Sequence, residues 1–332
     1  MSRHASVTVD VPARLHLGFL DLNGGLGRRF GSIGIAVEGI RTRLHAVPAD
    51  GIAATGPSAD RAALFARRLA QGLRIKGGVR ITVEEAIPEH AGLGSGTQLG
   101  LAVGSAYARL YGLSVDARTI AQVLGRGARS GIGIGVFEQG GVLVDGGRRD
   151  EGAAPAPIVA RMDFPEDWRI LLVLDEAAQG LHGAAEIEAF RALPPFPAEL
   201  AAHLCRLVLM VALPALAEAD LACFSGAVAE IQSAVGDYFA AAQGGRYASE
   251  RVAAVLEGLR SRGVTGIGQS SWGPTGFALL GDPETAKALH DELCRNRSAG
   301  DGLRFMLCRG RNRGGQIEIG ASVAARLDGV RR

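Results

Sequence analysis

The 332-residue sequence has few aromatic residues and almost no lysine. Phe, Trp and Tyr make up 5% of the chain and hydrophobic residues 47%, so we expect a folded protein with a core of Ala, Val, Ile and Leu. Only Lys76 and Lys287 are lysines among 36 basic residues, and the net charge is +2. This balance lacks the positive field that nucleic acid or an anionic membrane would require. We therefore expect small molecules as partners, with no nucleic acid and no membrane.

Cysteine and long apolar runs are also scarce. The four cysteines lack the close CxxC spacing of a metal site, and we expect them to be buried free thiols. They are Cys205, Cys223, Cys294 and Cys308. No uninterrupted apolar run reaches the about 18 residues of a membrane span, and residues 1–11 are too polar for a signal peptide. These absences predict a cytoplasmic protein.

Length and local periodicity predict two domains. At about 150 residues per domain the chain holds about two, and residues 148–157 lose all periodicity, so we place the boundary between domains 1–155 and 156–332 there. Alternating and helical patterns predict strands over 7–11, 33–37, 41–47, 79–83, 140–147, 168–174, 276–280 and 316–319, and helices over 59–72, 98–111, 198–218, 221–235, 252–262 and 284–297. A further helix follows Asp116, which is a plausible N-cap. Interleaved strands and helices indicate an α+β or α/β enzyme.

Glycine is in excess, with 48 residues, about twice the usual share. Much of the excess lies in residues 18–34, 92–96, 125–147 and 263–276. The strongest signal is the segment from Pro88 to Gln98, because its small residues expose backbone N–H groups just before a helix whose N-terminal dipole end is positive. Such a turn suits an anion such as a diphosphate. It is neither a Walker loop, since no lysine follows the last glycine, nor a dinucleotide fingerprint. The alternative is a tight turn without a ligand.

Three motifs in order resemble those of the GHMP kinase superfamily. They are Pro12 to Gly18, Pro88 to Ser95 and Gly266 to Gly276, and Ser130 to Gly141 resembles a fourth. The resemblance implies a two-domain α+β GHMP kinase-like fold. Its N-terminal domain is ribosomal-protein-S5-like with a phosphate loop at 88–98, and its C-terminal domain is ferredoxin-like α/β with a Gly/Ser motif at 266–276.

The sequence departs from the kinase pattern at the acidic positions. Gly133 stands where those kinases have a catalytic Asp, and Gln122 stands where a magnesium-binding Glu is expected. Arg14 replaces a Lys in the first motif, and Gly96 replaces the second Ser of Gly-Leu-Gly-Ser-Ser. Transfer of a γ-phosphoryl group depends on positioning and charge neutralisation by such groups, so these departures disfavour kinase chemistry.

One non-kinase branch matches better, the β-ribofuranosylaminobenzene 5′-phosphate synthase family. The chain resembles it in Arg14 to Gly24, in Gly92 to Gln98, in Ser130 to Gly141, and in Gly180 to Gly183 with Glu186. The resemblance implies that phosphoribosyl pyrophosphate condenses with 4-aminobenzoate or 4-hydroxybenzoate, giving a C-riboside, carbon dioxide and diphosphate in tetrahydromethanopterin biosynthesis. A homodimer fits the family.

This reading assigns roles to particular residues. Arg14 and His16 are the candidate catalytic residues, because they lie two apart in the first motif and therefore on one side of a strand. The candidate substrate-binding residues are Arg28, Gly92, Leu93, Gly94, Ser95, Gly96, Thr97, Gln98, Ser130, Glu138, Ser270, Ser271 and Trp272. We expect Mg²⁺ as the cofactor, carried in by the diphosphate, with Thr97 or Glu138 as candidate ligands. Each of four of these residues also has an alternative role without a ligand. Trp272 is a candidate core residue, His16 a structural histidine, Glu138 a turn cap and Arg28 a solvated loop residue.

Three other functions stay open on the sequence. A related C-ribosyltransferase would act on a heteroaromatic carboxylate in C-nucleoside biosynthesis, and the sequence does not identify the acceptor pocket. An ATP-dependent GHMP small-molecule kinase is disfavoured by Gly133 and Gln122. A non-catalytic ligand sensor would bind phosphoribosyl pyrophosphate without turnover.

Overall fold

The computed structural model describes residues 4–149, 154–178, 180, 183–296, 300 and 302–320. Strands and helices are interleaved along this part of the chain, as the sequence predicts. The strands are β1 (Ser6–Asp21), β2 (Phe30–Ala49), β3 (Ile52–Thr55), β4 (Gly78–Glu85), β5 (Val142–Asp145), β6 (Ile158–Met162), β7 (Arg169–Asp175), β8 (Ile267–Gln269), β9 (Gly276–Leu280), β10 (Leu303–Gly310) and β11 (Gln316–Gly320). The helices are α1 (Ala59–Gly72), α2 (Ser95–Leu110), α3 (Ala117–Val123), α4 (Ile132–Glu138), α5 (Gly183–Ala192), α6 (Ala198–Leu207), α7 (Leu213–Ala217), α8 (Leu221–Gln243), α9 (Glu250–Ser261) and α10 (Pro283–Asn296), with a π-helical turn, Val208–Ala212, between α6 and α7.

The described strands form one mixed sheet that runs through both halves of the chain. Its main path has the order β11-β1-β2-β10-β7-β9-β8, while β4 and β5 also pair with β2. Pairing of β10 with β2 through Gly310 and Val37 joins the two halves. Beyond residue 156, β6 pairs with β5 and β11 pairs with β1, so the later half of the chain contributes two strands to the N-terminal part of the sheet.

Two large apolar clusters hold the helices against this sheet. In the first, α1 and α2 cover β1, β2 and β4 through residues such as Val9, Leu44, Phe65 and Leu99. In the second, the helices from α6 to α8 cover the other part of β1 together with β7 and β9, and Phe224 and Ile231 lie at its centre. This packing brings the N-terminal end of α2 close to the middle of β1.

The local predictions succeed where the periodicity is strong. Helix α1 begins and ends at the predicted residues, and Asp116 caps α3 by accepting a hydrogen bond of 2.7 Å from the Thr119 backbone N–H. The strand predicted over residues 7–11 is longer in the structure. Strand β1 continues to Asp21 with register shifts after Pro12 and after His16, because pairing with the long β2 supplies its backbone hydrogen bonds.

The prediction that the cysteines are buried is wrong for three of the four. Only Cys308 is buried, whereas Cys205, Cys223 and Cys294 are exposed; all four are free thiols. One described helical segment, Ala198–Ala217, is long and apolar enough to cross a membrane by length and composition. About a third of its most apolar stretch is buried in the protein. Charged residues interrupt it, which is why it contains no continuous apolar run. Helices in the core of soluble proteins also meet these criteria of length and composition.

Candidate active site

The Gly-rich segments meet around one open cavity of about 280 Å³. Its walls come from the middle of β1, the loop before α2, the loop 125–130 and the turn 271–273. Ten of the predicted site residues line it: Arg14, His16, Gly92, Gly94, Ser95, Gly96, Thr97, Ser130, Ser271 and Trp272.

Ser270 connects three of the motifs behind this cavity, although it does not line it. Its hydroxyl donates a hydrogen bond of 2.7 Å to the Gly92 carbonyl oxygen and accepts one of 3.0 Å from the His16 backbone N–H. A β-carbon on residue 92 would overlap the carbonyl oxygen of Ser270. Glycine at 92 therefore lets the phosphate loop approach the late Gly/Ser motif closely.

The phosphate loop ends at the N-terminus of α2. Gly94 adopts a left-handed conformation there, with φ of +81°, and no side chain caps the helix. The N–H groups of Thr97 and Gln98 donate to the Gly94 carbonyl, while Ser95 and Gly96 begin the first turn at the cavity wall. An uncapped helix N-terminus presents backbone donors and a positive dipole end, which suits an anionic ligand.

Arg14 is fixed to the same loop from β1. Its backbone N–H donates to the Leu93 carbonyl at 3.1 Å, and its Nη1 donates to the Gly92 carbonyl at 2.5 Å. The guanidinium is therefore held at the cavity wall by the loop that it faces. Leu93 contributes only its backbone, since its side chain is in the core.

His16 places an uncharged imidazole in the cavity wall. Its residue exposure is 2%, and neither ring nitrogen has a hydrogen-bond partner. Burial, with a smaller effect from the Arg14 charge, holds the pKa of His16 well below its usual value. The ring therefore stays neutral at pH 7, with one nitrogen that carries a proton and one that does not.

Three further arginines line the cavity, and the sequence did not identify them as site residues. Arg61 comes from α1, and Arg126 and Arg129 come from the loop before α4. A signal for two of them was present, because Arg126 and Arg129 lie in a Gly-rich segment just before the predicted Ser130. Among the described lining residues there are four arginines and no carboxylate.

Asp145 fixes the end of the loop that carries Arg126 and Arg129. Its Oδ2 accepts hydrogen bonds from the Ser130 hydroxyl at 3.1 Å and the Gly131 N–H at 2.9 Å, and its Oδ1 accepts one from the Gly147 N–H at 2.9 Å. Burial raises the pKa of this carboxyl against the effect of its hydrogen bonds. The contacts assign Asp145 a structural role.

Three other predicted residues do not line the cavity. Arg28 donates to the carbonyl oxygens of Gly146 and Gly147 at 2.8 and 2.9 Å. Gln98 is buried and donates to the Gly133 carbonyl at 2.7 Å. Glu138 is exposed at the end of α4. Their substrate-binding roles stay predictions without a contact that supports them.

An aromatic cluster closes one side of the cavity. The Trp272 ring centroid lies 4.3 Å from that of Phe239 and 5.4 Å from that of Phe190, and the ring is nearly buried. Its indole N–H is buried and has no hydrogen-bond partner among the described residues. Phe19 lines the cavity next to His16, with 4.7 Å between the ring centroids. Trp272 thus belongs to the core and also forms part of the cavity wall.

The described residues do not fit a protein-held magnesium ion in this cavity. No group of three or more His, Cys, Asp or Glu side chains that could hold a metal occurs among them. Thr97 places a single hydroxyl at the wall, and Glu138 lies elsewhere. Two residues of the segment 180–183, Leu181 and His182, lie outside the described residues, as does the side chain of Glu186. The Mg²⁺ requirement remains a prediction.

Comparison with known proteins defines the class of this fold and site. The N-terminal domain of GHMP kinases matches residues 59–141, and the C-terminal domain matches residues 212–299. A homoserine kinase from Cytophaga hutchinsonii superposes with a TM-score of 0.60 at 16% identity, covering 96% of this chain and 99% of its own. The structure therefore has the α+β GHMP kinase fold that the motifs predict.

The sequence comparison is more specific. The chain is 35% identical to β-ribofuranosylphenol 5′-phosphate synthase from Archaeoglobus fulgidus, over 93% of this chain and 98% of that protein. It is 31% identical to the protein of that name from Methanothermobacter thermautotrophicus, over 92% and 97%. The chain belongs to the β-ribofuranosylphenol 5′-phosphate synthase family of pentosyltransferase-type enzymes. The resemblance drawn from the motifs is confirmed.

Proposed function

We propose that this enzyme joins phosphoribosyl pyrophosphate to 4-hydroxybenzoate or 4-aminobenzoate and releases carbon dioxide and diphosphate. The observation that carries the proposal is the cavity itself. Four arginines and an uncapped helix N-terminus surround it, and none of its described lining residues is acidic. A donor with a 5′-phosphate and a diphosphate, together with an acceptor carboxylate, needs this concentration of positive charge.

The donor reacts by breaking the bond between the anomeric carbon and the diphosphate oxygen. The electron pair leaves with the diphosphate, and the sugar becomes an oxocarbenium ion. Backbone N–H groups of Ser95 and Gly96 and the Arg14 guanidinium stabilise the negative charge that develops on the leaving group. Preorganised donors are effective here because the loop is already held by Ser270 and β1.

The acceptor reacts through the ring carbon that bears its carboxylate. The para hydroxy or amino group makes that carbon electron-rich, and a carbon–carbon bond forms to the anomeric carbon. Loss of carbon dioxide returns the electron pair to the ring and restores aromaticity, so no strong protein base is required. The absence of an acid at Gly133 is compatible with this reaction, whereas phosphoryl transfer depends on such positioning groups.

The walls around His16 support an aromatic acceptor. Phe19 and Trp272 provide apolar faces beside the neutral imidazole, whose ring nitrogens have no partner in the structure. The name of the two relatives specifies a ribosylated phenol, which 4-hydroxybenzoate would give after decarboxylation. We propose it as the first acceptor to test.

The test is a paired product assay. Purified protein is incubated with phosphoribosyl pyrophosphate, carboxyl-labelled 4-hydroxybenzoate and Mg²⁺, and diphosphate, labelled carbon dioxide and the riboside are measured. We expect the three products in equal amounts. Parallel reactions with 4-aminobenzoate and heteroaromatic carboxylates identify the acceptor. ATP-dependent phosphorylation without carbon dioxide release would contradict the proposal, as would tight donor binding without turnover on any acid.

A further inference from the structure

Two arginines converge on Gly96 in the first turn of α2. A β-carbon at residue 96 would overlap Nη2 of Arg61 and would lie 3.2 Å from Nη1 of Arg126. Arg61 belongs to α1 and Arg126 to the loop after α3, so separate elements bring the two guanidiniums together. Both line the cavity beside Ser95 and Thr97. The missing side chain at 96 is what leaves room for them.

The positive charge at this point is poorly compensated. Arg61 forms an ion pair of 3.2 Å with the half-exposed Glu89. Arg126 forms no ion pair in the described part of the chain; its guanidinium lies over the Phe65 ring at 5.2 Å, and its Nε is buried without a hydrogen bond. Burial and the charges of Arg61 and Arg68 lower the pKa of Arg126. Like charges held together beside a positive helix end are stabilised when an anion binds between them.

We propose that Arg61 and Arg126 bind the diphosphate group of the substrate and neutralise its charge directly, in a cavity whose described lining offers no carboxylate to hold a metal. The inference rests on the proposed function for the identity of the substrate. Two planar guanidiniums beside the α2 amides match two adjacent phosphoryl groups better than one carboxylate. Gly96 is then a specificity residue, because it keeps both arginines against the helix N-terminus.

Calorimetric binding of inorganic diphosphate in the presence of EDTA tests this role without catalysis. We expect the wild-type protein to bind metal-free diphosphate. Arg61→Gln and Arg126→Gln should each lower the affinity for diphosphate by about 10- to 100-fold, as expected for loss of a charged hydrogen bond. Arg126→Lys keeps the charge but loses the planar fork, so it should recover part of the affinity. Arg67→Gln is the matched control, since Arg67 is exposed on the same helix, and it should bind as the wild type does.

A second variant tests the geometry rather than the charge. Gly96→Ala keeps both arginines but displaces Arg61, and we expect a loss of diphosphate affinity with little change in melting temperature. Diphosphate binding that needs Mg²⁺ and is unchanged in Arg61→Gln and Arg126→Gln would overturn the proposal. The same measurements with phosphoribosyl pyrophosphate and ATP distinguish failure of the arginine site from failure of the proposed function. Preference for ATP, with the same arginine dependence, would support the arginine site and contradict the ribosyltransferase.

Discussion

The hydroxyl of Ser270 donates a hydrogen bond to the carbonyl oxygen of Gly92 across 178 residues of sequence. This contact joins the late Gly/Ser motif to the loop before α2, and the Ser270 hydroxyl oxygen also accepts a hydrogen bond from the His16 backbone N–H. The site therefore depends on the docking of the two halves of the chain.

Replacing Ser270 with Ala should destabilise the protein and loosen the loop. The substitution leaves the buried His16 N–H without a partner, which costs about 1–3 kcal/mol of unfolding free energy. We also expect a higher KM for the donor. Urea unfolding and donor kinetics measure both effects. Ser261→Ala is the control, because the exposed Ser261 hydroxyl only donates to the Glu257 carbonyl within α9; equal stabilities of the two variants would contradict the assigned role.

Replacing Ser95 with Leu should abolish donor binding while leaving the fold intact. Ser95 is partly exposed at the cavity wall, so a larger apolar side chain would fill the space over the α2 N-terminus. We expect a stability change within about 0.5 kcal/mol, as at surface positions. Calorimetry with phosphoribosyl pyrophosphate and a thermal melt provide the readouts. Undiminished donor affinity would place the diphosphate elsewhere.

Introducing Asp at position 133 should not create a kinase. A β-carbon there would lie 3.0 Å from the Thr97 Cγ2, so Thr97 must shift by a few tenths of an ångström to admit the side chain. We expect a loss of about 1–3 kcal/mol of stability from overpacking and no phosphorylation of alcohols by ATP. Gly258→Asp, at an exposed and unobstructed position on α9, is the control. ADP formation that depends on an alcohol would show the expectation to be wrong.

Stability should fall as the pH drops below the usual histidine pKa of 6.5, in a way that depends on His16. Because burial lowers the pKa of His16 in the folded protein, the histidine binds a proton in the unfolded chain at a pH where it stays neutral in the folded protein. Below this pH the contribution to stability is lost by at most about 1.4 kcal/mol per pH unit. Melting curves of wild type and His16→Gln between pH 5 and 8 measure it. A difference between them that does not vary with pH would argue against a buried neutral imidazole.

The sequence alone was sufficient for the local features and for the family. Helix α1, the Asp116 cap and the Gly-rich turn before α2 follow from periodicity, capping chemistry and glycine placement, which act between neighbouring residues. The motifs also identified the departure from kinases at Gly133. The full lengths of β1 and β2 could not be predicted, because they depend on pairing between the two strands, which the pattern within either strand does not reveal.

Only the tertiary structure decided which charges meet at the site. Arg61 appears in the sequence as one of several polar residues on an amphipathic helix, and Arg126 as a loop residue, yet packing of α1 and α3 against α2 places both over Gly96. Conversely, Arg28 lies in the Gly-rich segment 18–34 and Glu138 in the motif from Ser130 to Gly141, yet both lie outside the cavity. Residue type and spacing predict an anion-binding turn before α2. The long-range packing of the core, which no local pattern encodes, determined which side chains surround it.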